Sequence, residues 1–222
     1  MTHERVQGYV EDNFRHAMPE YAMLYDETID YMMRTDVLRY LVLLKDGGVY
    51  NDLDVECLEP IDTWVPDEYK DKVGVVVGIE NDFEKDDGTH VLGLVVWTML
   101  AKPNQPFIRF VLDRLLENMA GVTAEEQASL TTHALMDISG PASTSVSFMK
   151  YASMVTGTEV SWRNFAGMTE PMLIGEILVM PIWTFGAEHQ VEKAGLKDQT
   201  GRVLVKHWFA GTWKADHGDP GR

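Results

Sequence analysis

Hydrophobic and polar residues follow two different periods along this chain, one typical of helices and the other of strands. Apolar residues that recur every three or four positions predict helices over residues 4–15, 26–44, 106–119 and 124–136, and from a turn at 138–142 to about 155. Alternation predicts a strand over 49–55, and the unbroken apolar run at 73–79 predicts a buried central strand. Short strands are expected at 159–162, 177–181 and 203–207. Residues 82–88 read as an acidic loop, and 91–100 fit either a strand or a helix.

This mixture of strands and helices predicts an α/β domain built around a central sheet. The 222 residues are 45% hydrophobic, which is enough for a sizeable core, and we expect them to form a single domain over 1–222. The longest apolar run, at 91–101, is shorter than the roughly 20 residues that a membrane-spanning helix needs.

The charge balance narrows the classes of ligand. The formal net charge is -16, with 35 acidic residues against 19 Lys and Arg. A nucleic-acid-binding protein needs a basic surface, so no nucleic-acid partner is expected. An anionic substrate would need a metal ion or a local group of basic side chains. Cys57 is the single cysteine, so no internal disulfide forms.

Two aspartates one residue apart follow the predicted helix 26–44. In "KDGGVYNDLDVECLEPID" (45–62), Gly47 lies where a left-handed helix cap belongs, and Asp52 and Asp54 come soon after it. In an extended strand these two side chains share one face, about 7 Å apart at their Cα atoms. Two unpaired anions at that spacing repel each other, and carboxylate oxygens suit Mg²⁺ or Mn²⁺. The competing interpretation is a solvated acidic strand edge. The opposite face should join the core, and it comprises Val49, Leu53, Val55 and Cys57.

The helix before the aspartates carries an acid and a base on one face. Asp36 and Arg39 are three residues apart, and Met32 and Leu43 lie on the same stripe. A pair between apolar neighbours indicates a partly buried polar site. The alternative is a local ion pair, worth about 0.3–0.5 kcal/mol if it is exposed.

The segment "RTDVLRYLVLLKDGGVYNDLDVECLEPID" (34–62) resembles the signature of glycosyltransferase family 32, whose members carry a DXD motif. The signature runs T/S-D-x-x-R-Y, an apolar helix, G-G-hydrophobic-Y and then D-x-D. Four later segments occur in the order expected of the family: GIENDFEK (78–85), WTMLAKPNQPFI (97–108), ISGPAS (138–143) and HWFAGTWK (207–214). Over residues 21–214 the chain is most similar to the fungal branch that initiates the outer chain of N-glycans with α-1,6-mannose.

The resemblance implies a GT-A fold, the Rossmann-like fold of nucleotide-sugar transferases, with Mn²⁺ or Mg²⁺ as the cofactor. Family members carry two N-terminal strands that hold the nucleotide base, and the secretory enzymes carry a membrane anchor; neither has a counterpart ahead of the matching region here. This chain therefore reads as an N-terminally short member of the family.

The resemblance also implies roles for individual residues. It assigns catalysis to Asp36, Arg39, Asp52 and Asp54, donor binding to Asp36, Arg39, Tyr50, Asp52 and Trp213, and metal binding to Asp52, Asp54 and His207. Taken without the resemblance, His207 reads as a structural histidine at a strand end. The acceptor side is assigned to Glu80, Asp82, Ser139 and Gly140, for which a solvated acidic loop and a plain helix start are the alternatives. Trp97 is expected to lie in the core.

The function that the resemblance implies is transfer of mannose from GDP-mannose to a mannosyl acceptor of an N-glycan, with retention of configuration. The partners would be this donor, a glycan or glycolipid acceptor and another member of a glycosyltransferase complex, in the Golgi lumen. Two alternatives stay open: a transferase of the same family that mannosylates inositol phosphoceramide or uses a UDP-sugar, and a non-catalytic truncated paralogue. A calcium-binding domain ranks last, because Asp52-Leu53-Asp54 lacks the glycine and glutamate spacing of an EF-hand.

Overall fold

The computed structural model describes residues 3–186, 195 and 201–211. Three helices come first: α1 (His3–Phe14), α2 (Pro19–Glu27) and α3 (Tyr31–Lys45). The helix expected over 4–15 is confirmed, whereas the one expected over 26–44 is wrong at its start. Asp30 begins α3 as its N-cap, with a side chain that accepts a hydrogen bond from the Met33 amide, and Thr28 before it is extended. The chain therefore breaks between α2, which was not predicted, and α3.

Helix α3 ends at a left-handed glycine, as predicted. Gly47 has φ +67°, and a Cβ atom there would lie 2.7 Å from the Ala101 carbonyl oxygen and 2.8 Å from Pro103 Cδ. Only glycine fits this turn without strain. The turn directs the chain into β1 (Gly48–Asn51).

The continuous strand expected over 49–55 is wrong. Strand β1 ends at Asn51, a turn covers residues 52–54, and β2 (Val55–Cys57) follows. The Val55 amide donates to the Asp52 carbonyl (3.2 Å), which closes the turn. The two predicted faces therefore do not exist, and Leu53 and Cys57, expected in the core, are exposed.

The main sheet is centred on β3 (Val75–Glu84). Besides β1, its other strands are β4 (His90–Leu94), β5 (Thr98–Ala101), β6 (Met172–Ile174) and β7 (Ile177–Met180). The strand order is β1-β5-β3-β7-β6, with β4 also paired to β3. The pairing of β3 with β7 is parallel and the others are antiparallel. The predicted α/β class with a buried central strand is confirmed.

Several short elements differ from expectation. Strand β3 takes in residues 82–84, so the acidic loop is shorter than predicted, and 91–100 divides between β4 and β5. Residues 159–162 form no strand; a 3₁₀ turn covers Trp162–Asn164 instead, because Ser161 and Asn164 form a reciprocal capping box there. Strand β8 (Val205–His207) lies outside the main sheet and pairs with β2 in a separate two-stranded sheet.

The helices that follow β5 are α4 (Pro106–Met119), α5 (Ala124–Ala128), α6 (Thr132–Ile138), α7 (Pro141–Thr156) and the short α8 (Ile182–Phe185). The predictions for α4 and α7 are confirmed. The single helix expected over 124–136 is wrong, because Thr131 caps a second helix by accepting from the Ala134 amide. No described helix combines the length and the apolar character needed to span a bilayer.

The core lies on both faces of the central strand. Val75, Val77 and Ile79 of β3 pack into one cluster with α3, α4 and α7, whereas Val76 belongs to a second cluster that includes Trp97. Strands β1, β3 and β7 point the same way, since β1 and β3 are both antiparallel to β5. The 52–54 turn therefore lies at the edge of the sheet where these strands end.

Candidate functional site

The 52–54 turn holds the two aspartates at the sheet edge with half-exposed side chains. The Asp52 amide donates to the carbonyl of Trp97 (2.8 Å), which extends the β1–β5 pairing by one bond. Asp54 is held from the other side by the segment after β8. The Ala210 amide donates to Asp54 Oδ2 (3.0 Å), and the Trp208 amide donates to the Asp54 carbonyl (2.9 Å). The carboxylates of Asp52 and Asp54 are 31% and 28% exposed, so a ligand can reach both.

His207 completes a cluster with these aspartates. It ends β8, opposite Val55 of β2, and its Nε2 lies 3.2 Å from Asp54 Oδ1. One ligand atom from each of Asp52, Asp54 and His207 lies within 4.8 Å of the other two. The structure thus joins the three residues that the resemblance assigned to a metal, across more than 150 positions of sequence.

The chemistry of this cluster fits a divalent cation. Burial lowers the pKa of His207 from 6.5, and this effect outweighs the opposite influence of Asp54 and Asp52, so the imidazole is neutral at pH 7. A neutral imidazole with two carboxylates is a donor set suited to Mn²⁺. Counted with Asp36 and Arg39, the site holds three carboxylates and one guanidinium, which leaves two negative charges; Arg39 pairs with Asp36 and Asp52. A divalent ion would neutralise that charge.

Arg39 connects the helix pair to the first aspartate. Its Nη1 lies 2.5 Å from Asp36 Oδ1, its Nη2 lies 3.4 Å from Asp52 Oδ1, and its guanidinium lies 4.8 Å from the centre of the Tyr50 ring. The Tyr50 hydroxyl donates to the same Asp52 oxygen (2.8 Å). Arg39 is 2% exposed and Asp36 is also buried, so this ion pair is buried, as its apolar neighbours indicated, and not exposed.

Burial and neighbouring charges shift the pKa values of Asp36 and Arg39 in opposite directions. Burial raises the pKa of Asp36, although Arg39 and Ser139 act to lower it. Burial by itself would lower the pKa of Arg39, but Tyr50, Asp36 and Asp52 together hold it well above its ordinary value. Arg39 therefore stays charged at neutral pH.

The junction between α6 and α7 lies behind Asp36. The Ser139 hydroxyl donates to Asp36 Oδ2 (2.8 Å) and is buried, so it is part of the same hydrogen-bonded chain as Arg39 and Asp52. Gly140 is the N-cap of α7, and a Cβ atom there would lie 2.9 Å from the Cα of Met136.

The remaining acceptor-side candidates lie on β3. Asp82 is buried and accepts hydrogen bonds from His90 Nε2 (2.7 Å) and from the Gly167 amide (2.6 Å), so it ties the β3–β4 hairpin to the loop after α7. Glu80 is half-buried on the same strand. Trp213, assigned to the donor, lies outside the described residues.

Sequence reasoning missed two contributions to the site. Trp97 is buried, as predicted, but its ring also stacks on His207, with centroids 4.5 Å apart and planes 12° apart. Trp97 lies in the segment WTMLAK, which is part of the family resemblance, but nothing in that segment signals a contact with His207. The Ala210 amide is a backbone group, and no side-chain pattern marks it.

Comparison with known proteins shows which family the chain resembles. Residues 5–71, which include both aspartates, match the family described as a glycosyltransferase sugar-binding region containing a DXD motif. The chain is 31% identical over 192 residues to the initiation-specific alpha-1,6-mannosyltransferase of Schizosaccharomyces pombe, covering 83% of this chain and 48% of that protein. It is 27% identical over 226 residues to the protein of the same name in Candida albicans, covering 90% of this chain and 58% of that protein. The resemblance predicted from the sequence is confirmed.

This chain therefore spans about half the length of the curated relatives it matches. Among solved structures, the PaToxG glycosyltransferase shares 16% identity at a TM-score of 0.42, covering 92% of this chain and 73% of that one. That likeness is too weak to assign the fold.

Proposed function

The chain is related to the DXD sugar transferases, and on that premise we propose that it is a metal-dependent glycosyltransferase that moves mannose from GDP-mannose to a mannosyl acceptor of an N-glycan, forming an α-1,6 linkage. The observation that carries this proposal is the cluster of Asp52, Asp54 and His207 at the sheet edge. The proposal includes a single catalytic domain of the GT-A type over residues 1–222, working in the Golgi lumen beside other glycosyltransferases.

The donor side of the site is built to hold a nucleotide diphosphate through a cation. Asp52, Asp54 and His207 would hold Mn²⁺ or Mg²⁺, and the bound ion would supply positive charge to the diphosphate as it leaves. Arg39 fixes Asp52, and Tyr50 donates to the same oxygen, so the first ligand is held before any donor arrives. Asp36, Arg39 and Tyr50 would then orient the donor beside the cluster, with Trp213 as a further donor contact.

Retention of configuration without a protein nucleophile is consistent with the hydrogen bonding of Asp36. Both oxygens of Asp36 already accept hydrogen bonds, one from Arg39 and the other from Ser139. We therefore propose front-face attack. The bond between the sugar C1 and the diphosphate oxygen breaks, the acceptor oxygen bonds to C1 on the same face, and the leaving phosphate takes the acceptor proton. Preorganised charge around the diphosphate lowers the barrier to this step.

The acceptor is proposed to bind along the edge between β3 and the start of α7. Glu80 is more accessible than Asp82, whereas Asp82 would act through the hairpin that it holds together. Ser139 and Gly140 would shape the pocket through α7.

A product assay tests this function. Purified protein with Mn²⁺ and a mannose oligosaccharide is expected to release GDP from GDP-mannose and to yield an α-1,6-linked product, identified by NMR. An Asp54→Asn variant should release none. Release from UDP-galactose or UDP-glucose instead would favour another transferase of the family, and transfer only to inositol phosphoceramide would indicate the glycolipid branch. A β-linked product would refute retention, and no turnover by folded, metal-binding protein would indicate a non-catalytic paralogue.

A further inference from the structure

Trp97 lies in the short segment that connects two strands of the main sheet, next to the metal cluster. Strand β4 ends at Leu94 and β5 begins at Thr98, so Trp97 is the last residue before β5. It is 5% exposed, and its indole Nε1 donates to the carbonyl of Phe185 (3.2 Å), which anchors the ring to the end of α8.

Trp97 contacts two residues of the cluster, Asp52 and His207. Its carbonyl accepts from the Asp52 amide (2.8 Å), and its ring lies almost parallel to the imidazole of His207. The ring of Phe209 meets Trp97 edge-on (5.3 Å) and His207 edge-on (4.0 Å), so the imidazole is packed on two sides. Asp52 and His207 are far apart in the sequence, and Trp97 contacts both.

The hydrogen bonding of His207 indicates what the contact with Trp97 does. A histidine that binds a metal ordinarily donates from its other ring nitrogen to a carboxylate or carbonyl, and this bond fixes the ring plane. His207 Nδ1 is buried, and within the described part of the chain it has no hydrogen-bond partner. Among those residues, the contacts that hold the plane of the ring are the packing contacts with Trp97 and Phe209.

We propose that Trp97 is a positioning residue of the metal cluster: its ring sets the plane of the His207 imidazole so that Nε2 faces Asp54, and its carbonyl fixes the backbone of Asp52. This inference rests on the proposed function, because it assumes that Asp52, Asp54 and His207 bind a divalent ion.

Calorimetric titration with Mn²⁺ alone tests the role of the ring. Trp97→Met fills much of the space with a flexible, unbranched side chain and removes the flat surface. The expected loss of Mn²⁺ affinity is about 10–100-fold, as for other outer partners of metal ligands. Trp97→Phe restores an aromatic surface and is expected to recover most of the affinity. Trp97→Leu takes the place of the methionine variant if that variant fails to fold.

Trp64 provides a matched control within the same core cluster. It is 1% exposed, packs on Phe185 with centroids 5.5 Å apart, and donates to the Glu59 carbonyl. Trp64→Met should therefore lower the thermal midpoint as Trp97→Met does, but leave Mn²⁺ affinity at the wild-type value. Equal losses of affinity in the two variants would mean that the effect is general loosening, and would overturn the role of Trp97.

NMR gives a readout that does not depend on metal. The imidazole protons of His207 should be shifted upfield by the indole ring current in the wild type, and the shift should disappear in Trp97→Met. Wild-type Mn²⁺ affinity in a folded Trp97→Met protein would overturn the inference alone. A wild-type protein that binds no Mn²⁺ would instead refute the metal site, and both proposals with it.

Discussion

At the scale of single residues, Arg39 contacts three other side chains of the site: Asp36, Tyr50 and Asp52. Because it is buried, removing it leaves Asp36 as a charge without its partner in the interior. Arg39→Met is expected to lower the free energy of unfolding in urea by about 3–5 kcal/mol, the usual cost of breaking a buried pair on one side.

The control for this prediction is the double variant Asp36→Leu/Arg39→Met. Replacing both partners by apolar side chains should restore most of the stability, because no uncompensated charge remains. It should not restore donor binding. A single Arg39→Met variant as stable as the wild type would show that the pair does not carry the buried charge described here.

His207 supplies a prediction about pH. Its pKa is lowered in the folded chain and is ordinary in the unfolded chain, so the unfolded state binds the extra proton first as the pH falls. In metal-free protein, NMR titration should place its midpoint below 6.5, and the free energy of unfolding should decline as the pH drops below that value. His207→Gln should weaken this decline. A midpoint at or above 6.5 would contradict the burial of the ring.

At the scale of secondary structure, Gly47 determines how α3 joins β1. Gly47→Ala is expected to destabilise the protein by about 1 kcal/mol or more, because alanine is strained at positive φ and its Cβ would meet the Ala101 carbonyl. Gly8 is the matched control, since it lies inside α1 with nothing within 4 Å of an added Cβ. Gly8→Ala should stabilise by about 0.5–1 kcal/mol. Chemical denaturation measures both, and a neutral Gly47→Ala would contradict the tight turn.

The same scale explains which elements the sequence could reveal. Long amphipathic segments with clear ends, such as α4 and α7, were predicted because periodicity and proline at the helix start agree. The 52–54 turn was not, because alternating residues satisfy a strand pattern whether or not the strand continues. The strand is interrupted by a local hydrogen bond from the Val55 amide to the Asp52 carbonyl, together with a long-range one from the Asp52 amide to the Trp97 carbonyl. The pattern of hydrophobic and polar residues indicates neither hydrogen bond.

In the candidate site, too, some contacts could be predicted from the sequence and others could not. The pairing of Asp36 with Arg39 follows from helical spacing, so sequence reasoning could place both on one face. The approach of His207 to Asp54 depends on the pairing of β8 with β2, which periodicity cannot predict across that separation. Only the family resemblance connected these residues. The ring of Trp97 on His207 could not be predicted at all, because a buried tryptophan looks the same in sequence wherever it packs.

At the scale of the whole molecule, the second core cluster holds β8 against the metal site. Val205 is fully buried in this cluster, two residues before His207, whereas Val179 of β7 is equally buried in the other one. Val205→Ala and Val179→Ala should each cost about 1.5 kcal/mol or more, from about 0.8 kcal/mol for each buried carbon removed. Only Val205→Ala should also weaken Mn²⁺ binding in calorimetry. Equal Mn²⁺ affinities in the two variants would show that β8 does not depend on this cluster.

The acidic character of the whole chain bears on the metal as well. A net charge of -16 repels a nucleotide diphosphate, so the protein needs positive charge at the site where it binds one. The buried Arg39 is already engaged by two carboxylates. A divalent ion at Asp52, Asp54 and His207 would supply the missing charge.

The central claim is that these residues form a metal-dependent donor site, and isothermal titration with GDP-mannose in the presence and absence of Mn²⁺ tests it most directly. The account predicts that the wild type binds GDP-mannose only in the presence of Mn²⁺ and that Asp54→Asn loses this binding. The control is Glu56→Gln, which also removes one negative charge, but from an exposed side chain two residues after Asp54; this variant should bind as the wild type does. Binding of GDP-mannose that is indifferent to Mn²⁺, or equally strong in Asp54→Asn, would contradict it.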